Sequence, residues 1–187
     1  MSPMVKTPLA LEHALLGFVR ERPMHAYEIF QTLAQSEELG LVWRIKQSQL
    51  YALLARLEDA GFLASTIETQ DTRPPRKILH LTASGEAALT RWLVAPVQHG
   101  RDFRLDFLAK LYFARRDPGG ALPTLLTAQR AASEALIAQL QDRVAALAPG
   151  RVYDRLVLLF RVGQLAAILD WLATCEAELS AAEPLPD

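Results

Sequence analysis

The 187-residue chain is 51% hydrophobic and carries 20 Lys plus Arg against 21 Asp plus Glu, a formal net charge of −1. That apolar content excludes a disordered chain, and the charge balance supplies no global cationic field, so a nucleic-acid partner would have to be held by local clusters. The lone Cys175 can form no internal disulfide, the N-terminus has no secretory pattern, and apolar runs such as Leu156 to Phe160 are only about five residues, against the roughly 20 that cross a bilayer. A cytoplasmic protein without a membrane span is expected.

Leu9 to Glu21 reads as an amphipathic helix that buries Leu15, Leu16 and Val19 and ends before Pro23. His25 to Leu39 reads as a second, with Tyr27, Ile29, Phe30 and Leu33 at helical spacing and Gly40 closing it. Trp43 opens a third, in which Leu50, Leu53, Leu54 and Leu57 recur at i, i+3, i+4 and i+7 and so face a core. Its other face, with Ser48, Gln49, Ala52, Ala55 and Arg56, is small and polar. A helix that enters a major groove about 12 Å wide needs short side chains and a few hydrogen-bonding ones, whereas a helix that merely covers a core usually carries long charges outside. Gly61 caps it.

Phe62 to Thr69 then alternates as a strand, Gln70 to Lys77 forms a polar, proline-bearing loop with Arg73, Arg76 and Lys77, and Ile78 to Leu81 returns as a second strand. Two strands joined by a basic loop after a recognition helix make a wing. Thr82 is placed to cap the next helix through the Gly85 amide, with Glu86 in its first turn; that helix runs to about Val94.

Pro96 to Gly100 is the expected hinge. Beyond it, Leu105 to Arg115, Pro118 to Leu147 and Arg151 to Leu179 are helical, rich in Ala and Leu, with Asp117 as N-cap and Pro118 at the first helical position. The expected fold is mainly α: an N-terminal winged helix-turn-helix with a two-stranded wing over residues 1–95, and an all-helical C-terminal dimerisation and effector domain over 96–187. The last helix is apolar on two sides, through Leu156, Leu159, Phe160, Gly163 and Ala167 and through Leu158, Val162, Leu165, Leu169 and Leu172. A helix covering only its own domain needs one such stripe, so the second asks for a partner, most economically a second copy. Leu136, Leu140, Val144 and Leu147 form a seam that could pair with it across a two-fold axis.

Between Trp43 and Trp92 seven basic residues face five acidic ones, with Arg44 and Lys46 at the helix start and Arg73, Arg76 and Lys77 in the wing. The excess is modest, and a dimer would double the phosphate contacts available. Gln47, Ser48, Gln49 and Arg56 are the candidate base-reading residues. Tyr51, on the flank of the helix, suits either packing against the second helix or a phosphate contact, and His25 suits a local hydrogen bond.

Several blocks at fixed distances, Leu15-Leu16-Gly17, Pro23 to Ile29, Gln49-Leu50-Tyr51 leading to Arg56-Leu57-Glu58 and Gly61, Arg76-Lys77 through Leu81-Thr82 and Gly85, and Phe107 to Phe113 with Lys110, resemble the PadR family of transcriptional regulators in its long form. Ala26 stands where that family usually has glycine and His80 where it has tyrosine, both positions of packing. The resemblance implies a homodimer on double-stranded DNA with a pseudo-palindromic operator, a repressor role, and a neighbouring gene under its control.

Trp92, Phe107, Phe160 and Trp171 are either ordinary core and interface residues or the flat walls of a pocket for a small aromatic or hydrophobic effector. Cys175, near Glu176 and Glu178, sits where a thiol pKa rises, which argues against a redox switch. His13, His25, His80 and His99 have no metal-ligand spacing, and no phosphate loop, nucleophile elbow or zinc pattern appears, so neither a catalytic residue, a metal nor a cofactor is expected. The competing expectation is a winged-helix module kept for protein contacts, without effector control.

Overall fold

The computed structural model describes residues 10–70 and 73–181, with the side chains of 10, 69, 70, 73 and 74 outside the described set. α1 (Ala10–Glu21) is the central strut of the N-terminal half, with Ala14, Leu15, Leu16, Phe18 and Val19 all buried. Gly17 on the same helix lets the ring of Phe113 close in: a Cβ there would stand 2.6 Å from it.

The second helix breaks in two. α2 (Ala26–Gln35) ends at Ser36, whose hydroxyl accepts the Leu39 amide and starts the single turn α3 (Glu37–Gly40). The apolar spacing carries on across that break, which is why periodicity alone joins them. Two residues just before α2 also escape a sequence reading: Met24–His25 form the short strand β1.

α4 (Gln47–Asp59) starts four residues later than Trp43 suggests. Trp43 and Ile45 pack on the core from the extended segment that leads in, so their hydrophobicity reflects burial and not helical phase. Leu50, Leu53, Leu54 and Leu57 are buried as their spacing requires. Each contributes on the order of 1.5–3 kcal/mol by leaving water. Gly61, at φ 75°, ends the helix in the left-handed region, and the Phe62 amide reaches back to the Leu57 carbonyl at 2.9 Å.

β2 (Leu63–Gln70) and β3 (Arg73–Leu81) pair antiparallel from Leu63 opposite Leu81 out to Gln70 opposite Arg73, with an irregularity between Glu68 and Gln70. The wing proper is thus two-stranded, and β1 adds to the other side of β3, giving the order β1-β3-β2. Most of what the sequence assigns to a loop, from Arg73 onward, is strand. Thr82 caps α5 (Ala83–Val94) as expected, accepting the Gly85 amide at 3.0 Å, while its own hydroxyl donates to the Gly61 carbonyl at 2.8 Å.

After α5, a 3₁₀ turn (Gly100–Asp102) and a π-helical turn (Phe103–Phe107) lead into α6 (Leu108–Ala114). α7 (Ala121–Ala145) and α8 (Val152–Ala181) form a long antiparallel hairpin. Asp117 does satisfy the start of α7, through the Ala121 amide at 3.0 Å, but the N-cap position is Gly120 at φ 70°, and Pro118 lies in the preceding turn.

Two further expectations change here. The Leu136, Leu140, Val144 and Leu147 seam is spent inside the chain, against Leu158, Val162 and Leu165 of α8. Counting uninterrupted apolar runs also undervalues α8, whose 30 residues are long and apolar enough by length and composition to cross a membrane. Its few charges are spaced widely, so a helix buried on one side and apolar on the other passes the same test. The outer stripe is open: Leu156 is 60% exposed, Leu159 43% and Phe160 65%.

Buried side chains form one continuous cluster from Leu15 and Leu50 through Leu89, Phe107 and Leu125 to Leu172 and Cys175, so it runs across the 95/96 position. The segment after α5 is held rather than loose. Val97 donates its amide to Gln129 Oε1 at 2.7 Å and accepts Gln129 Nε2 at 3.2 Å, and Lys110 Nζ donates to the Ala95 carbonyl at 2.8 Å.

Candidate nucleic-acid interface

The leucine stripe pins one side of α4 to the core and leaves Gln47, Ser48, Gln49, Ala52 and Ala55 exposed. Lys46 occupies the N-cap position in an extended conformation and makes no side-chain cap, so the positive end of the helix dipole opens outward at Gln47 and Ser48. Short side chains beside free amides at a helix start suit close approach to a phosphate backbone. Arg44, Lys46 and Arg76 are exposed, and among the described residues none of them is in an ion pair.

Two of the expected cations are differently placed. Arg56 Nη2 donates to Glu12 Oε1, a carboxylate only 7% exposed on α1. Lys77 Nζ donates to Glu58 Oε2 at 2.8 Å, tying the wing to the C-terminal end of α4. Both cations remain about half exposed, but each arrives already partnered. Arg56, expected among the base-reading residues, thus keeps about half of its side chain exposed while already holding a carboxylate. Nothing in the sequence signals the pairing with Glu12, 44 positions away. Arg73 lies in β3, with its side chain outside the described residues.

Tyr51 is 42% exposed and opens into a groove of about 910 Å³ between α2, α4 and β3, with Tyr27, Gln31, Ala55 and Glu58 along its walls. His25 reaches farther than a local contact, its Nδ1 donating to the Lys77 carbonyl at 3.1 Å, so one wing residue is held by its backbone and by its side chain. His80 Nε2 and Thr66 Oγ1 make a cross-strand hydrogen bond at 2.8 Å.

The family model of the transcriptional regulator PadR-like family matches residues 15–91, and that described as virulence activator alpha C-term matches residues 103–180. The probable transcriptional regulator Rv1176c of Mycobacterium tuberculosis is 31% identical over 132 residues, 66% of this chain and 69% of that protein. The chain belongs to the PadR-like family. The negative transcriptional regulator PadR of Bacillus subtilis is 35% identical over 103 residues, and the match spans 55% of this chain and 56% of that protein's length. A crystal structure of Bacillus subtilis PadR in complex with operator DNA covers 91% of this chain and 99% of its own, at 27% identity and TM-score 0.46. One with p-coumaric acid covers 92% and 99%, at 27% identity and TM-score 0.41.

In this PadR-like chain the four aromatic residues picked out for an effector do not come together. Phe160 stands exposed on the outer stripe of α8, while Phe107 packs edge-on to Trp171 at 5.8 Å and Trp92 lies nearby in the same buried cluster. Trp92 is heavily engaged: its indole N–H donates to Asp106 Oδ1 at 2.8 Å, and the His13 ring stacks on it at 5.2 Å with 2° between planes. The cavity of about 190 Å³ at the junction is lined instead by Val97, Phe103, Gln129, Ser133 and Leu165, among others. Three of the four residues thus serve as packed core, and Phe160 belongs to a different surface.

Beside Trp92, the Lys110 ammonium is almost fully buried, 3.6 Å from Asp106. Burial pulls its pKa below the usual lysine value, against the opposing pull of Asp106. Burial first, then Glu176, pushes the Cys175 thiol up, in line with the inert role read from sequence. Among the described residues no group of three or more His, Cys, Asp or Glu side chains is arranged to hold a metal ion.

Proposed function

We propose that this chain is a sequence-specific DNA-binding regulator that acts as a homodimeric repressor on a pseudo-palindromic operator. The observation that carries the reading is the exposed small and polar face of α4, with an uncapped N-terminus preceded by Arg44 and Lys46, and with the exposed Arg76 of the wing along the same groove as Tyr51 and Ala55. Gln47, Ser48 and Gln49 enter the major groove and read base edges, while Arg44, Lys46, Arg76 and, in the wing, Arg73 hold the backbone. Tyr51 meets phosphate from the side of the groove. Residues 1–95 form the reading unit and 96–187 the dimerisation unit, the second copy covering the outer stripe of α8. Repression is supported by the name of the 35% identical Bacillus subtilis relative. A regulator of this kind works in the cytoplasm, beside the DNA.

Control by a small aromatic compound would act at the junction, where Phe107 packs edge-on to Trp171 and Trp92 belongs to the same cluster. A planar ligand inserted there would shift α6 against α5 and change the distance between two recognition helices, which must match a repeat of about 34 Å. Selection of binding sites from a random duplex pool, followed by release assays with a panel beginning with p-coumaric acid, tests both parts. Recovery of no common sequence would sink the operator reading. The second reading, a protein-interaction module, draws on the neutralised Arg56 and Lys77 and on the tyrosine-lined groove. A shallow salt dependence of complex formation would favour it.

A further inference from the structure

We propose that Glu12 and Glu58 are specificity-determining residues, each neutralising and orienting one cation on the DNA-facing side so that indiscriminate attraction to phosphate stays low. The inference rests on the DNA-binding reading above. Arg56 on α4 reaches to Glu12 of α1, and Lys77 on β3 reaches to Glu58 of α4, so each cation donates to a carboxylate supplied by the protein itself. Two independent pairs, on different elements, impose the same arrangement.

An unpaired surface cation that meets a phosphate displaces condensed counterions, which makes non-specific binding strong at low salt. A cation already compensated by a carboxylate brings no net charge to the encounter. Each of these pairs therefore removes one charge from the non-specific term while leaving donors in place: a guanidinium has five N–H groups and an ammonium three. Glu12 fixes the Arg56 guanidinium, and Glu58 fixes the Lys77 ammonium within the wing. Those remaining donors meet a backbone only when the duplex sits in the register that α4 dictates. Glu12 is 7% exposed, so its carboxylate is held close to α1 and α4 with Arg56 as a cationic partner.

The test uses the full chain, a random-sequence duplex and a duplex selected from a random pool, titrated by fluorescence anisotropy between 50 and 200 mM salt. Glu58→Gln and Glu12→Gln keep side-chain shape and remove the charge. Each is expected to steepen the salt slope by about 0.9, losing about three- to fourfold more affinity across that range, and to tighten random DNA at low salt. The ratio of selected to random affinity falls accordingly. Equal weakening on both duplexes with an unchanged slope would mean that the pairs are struts only, and would overturn the inference while leaving the DNA reading intact. Failure of the unsubstituted protein to bind either duplex would overturn both. Glu58, about one-fifth exposed and so less deeply buried than Glu12, keeps the test open if Glu12→Gln fails to fold.

Discussion

Phe160→Ala should convert a tight dimer into a weak one while leaving the subunit folded. Phe160 is 65% exposed, at the middle of the open stripe on α8, and belongs to neither buried cluster. A phenylalanine presents roughly 200 Å² of surface. About 130 Å² is therefore available to a partner, which at about 25 cal/mol per Å² is close to 3 kcal/mol for each copy covered. A two-fold interface loses two copies, so the ceiling is about 6 kcal/mol and the dimer dissociation constant should rise by at least about 100-fold, one copy's share. Sedimentation equilibrium reads this directly, and circular dichroism checks the fold. Leu158→Ala, two residues away but 5% exposed against α7, is the contrast: it should cost about 2–5 kcal/mol of stability. If Phe160→Ala leaves the dissociation constant within threefold of the parent, the stripe is not the interface. Truncation after Arg116 would be a poorer test, since it removes Leu125, Leu126, Leu172 and Cys175 from the main core and confuses unfolding with dissociation.

Gly85→Ala should lower the melting temperature, because its Cβ would lie 2.2 Å from the Phe62 carbonyl oxygen and force α5 away from the wing; at about 1–3 kcal/mol for such overpacking, a scanning calorimeter should see a loss of about 2–12 °C. Burial works against the charge on Glu38, but hydrogen bonds from Arg116 and Arg115 outweigh it and hold the carboxyl below its ordinary value. Its contribution is therefore full above pH 4.5 and lost as pH falls through the lowered folded value, and Glu38→Gln should flatten denaturant midpoints across that acid range. Arg44→Ala and Arg76→Ala should each reduce the salt slope of DNA binding by about 0.9 on any sequence, whereas Arg56→Ala should change it little. Gln49→Ala should cost about 1–3 kcal/mol on selected DNA and little on random DNA; equal losses would remove Gln49 from base reading.

The parts legible in the sequence are those fixed by local physics. Four leucines at helical spacing, Gly61 at a left-handed position, and Thr82 three residues before Gly85 each dictate structure within one or two turns. The two faces of α8 were readable for the same reason. What a linear reading missed depends on distant partners or on competing signals. β1 is two residues long and exists only because β3 passes beside it. Trp43 and Ile45 stand two residues apart, the period of extended chain, and pack from the segment that leads into α4, so reading Trp43 as the start of the helix misreads that spacing. The α7 seam was visible, but whether it met its own α8 or another copy's could not be read from spacing. At the interface, the cations were identifiable and their carboxylates were not, since pairing Arg56 with Glu12 requires α1 to lie against α4.

Gln129 grips both polar groups of the Val97 backbone, as a neighbouring strand would. The consequence is mechanical: the passage between the N-terminal half and the hairpin is anchored to α7 at Val97. A one-residue insertion at Gln98 would lengthen the connection without loosening it, because the clasp lies upstream. An insertion before Val97 would pull the clasp out of alignment with Lys110 and Ala95. In an assembled pair, the separation of the two heads would then be set by the stiffness and length of α7 and α8, like a caliper whose opening is fixed by its arms rather than by its joint.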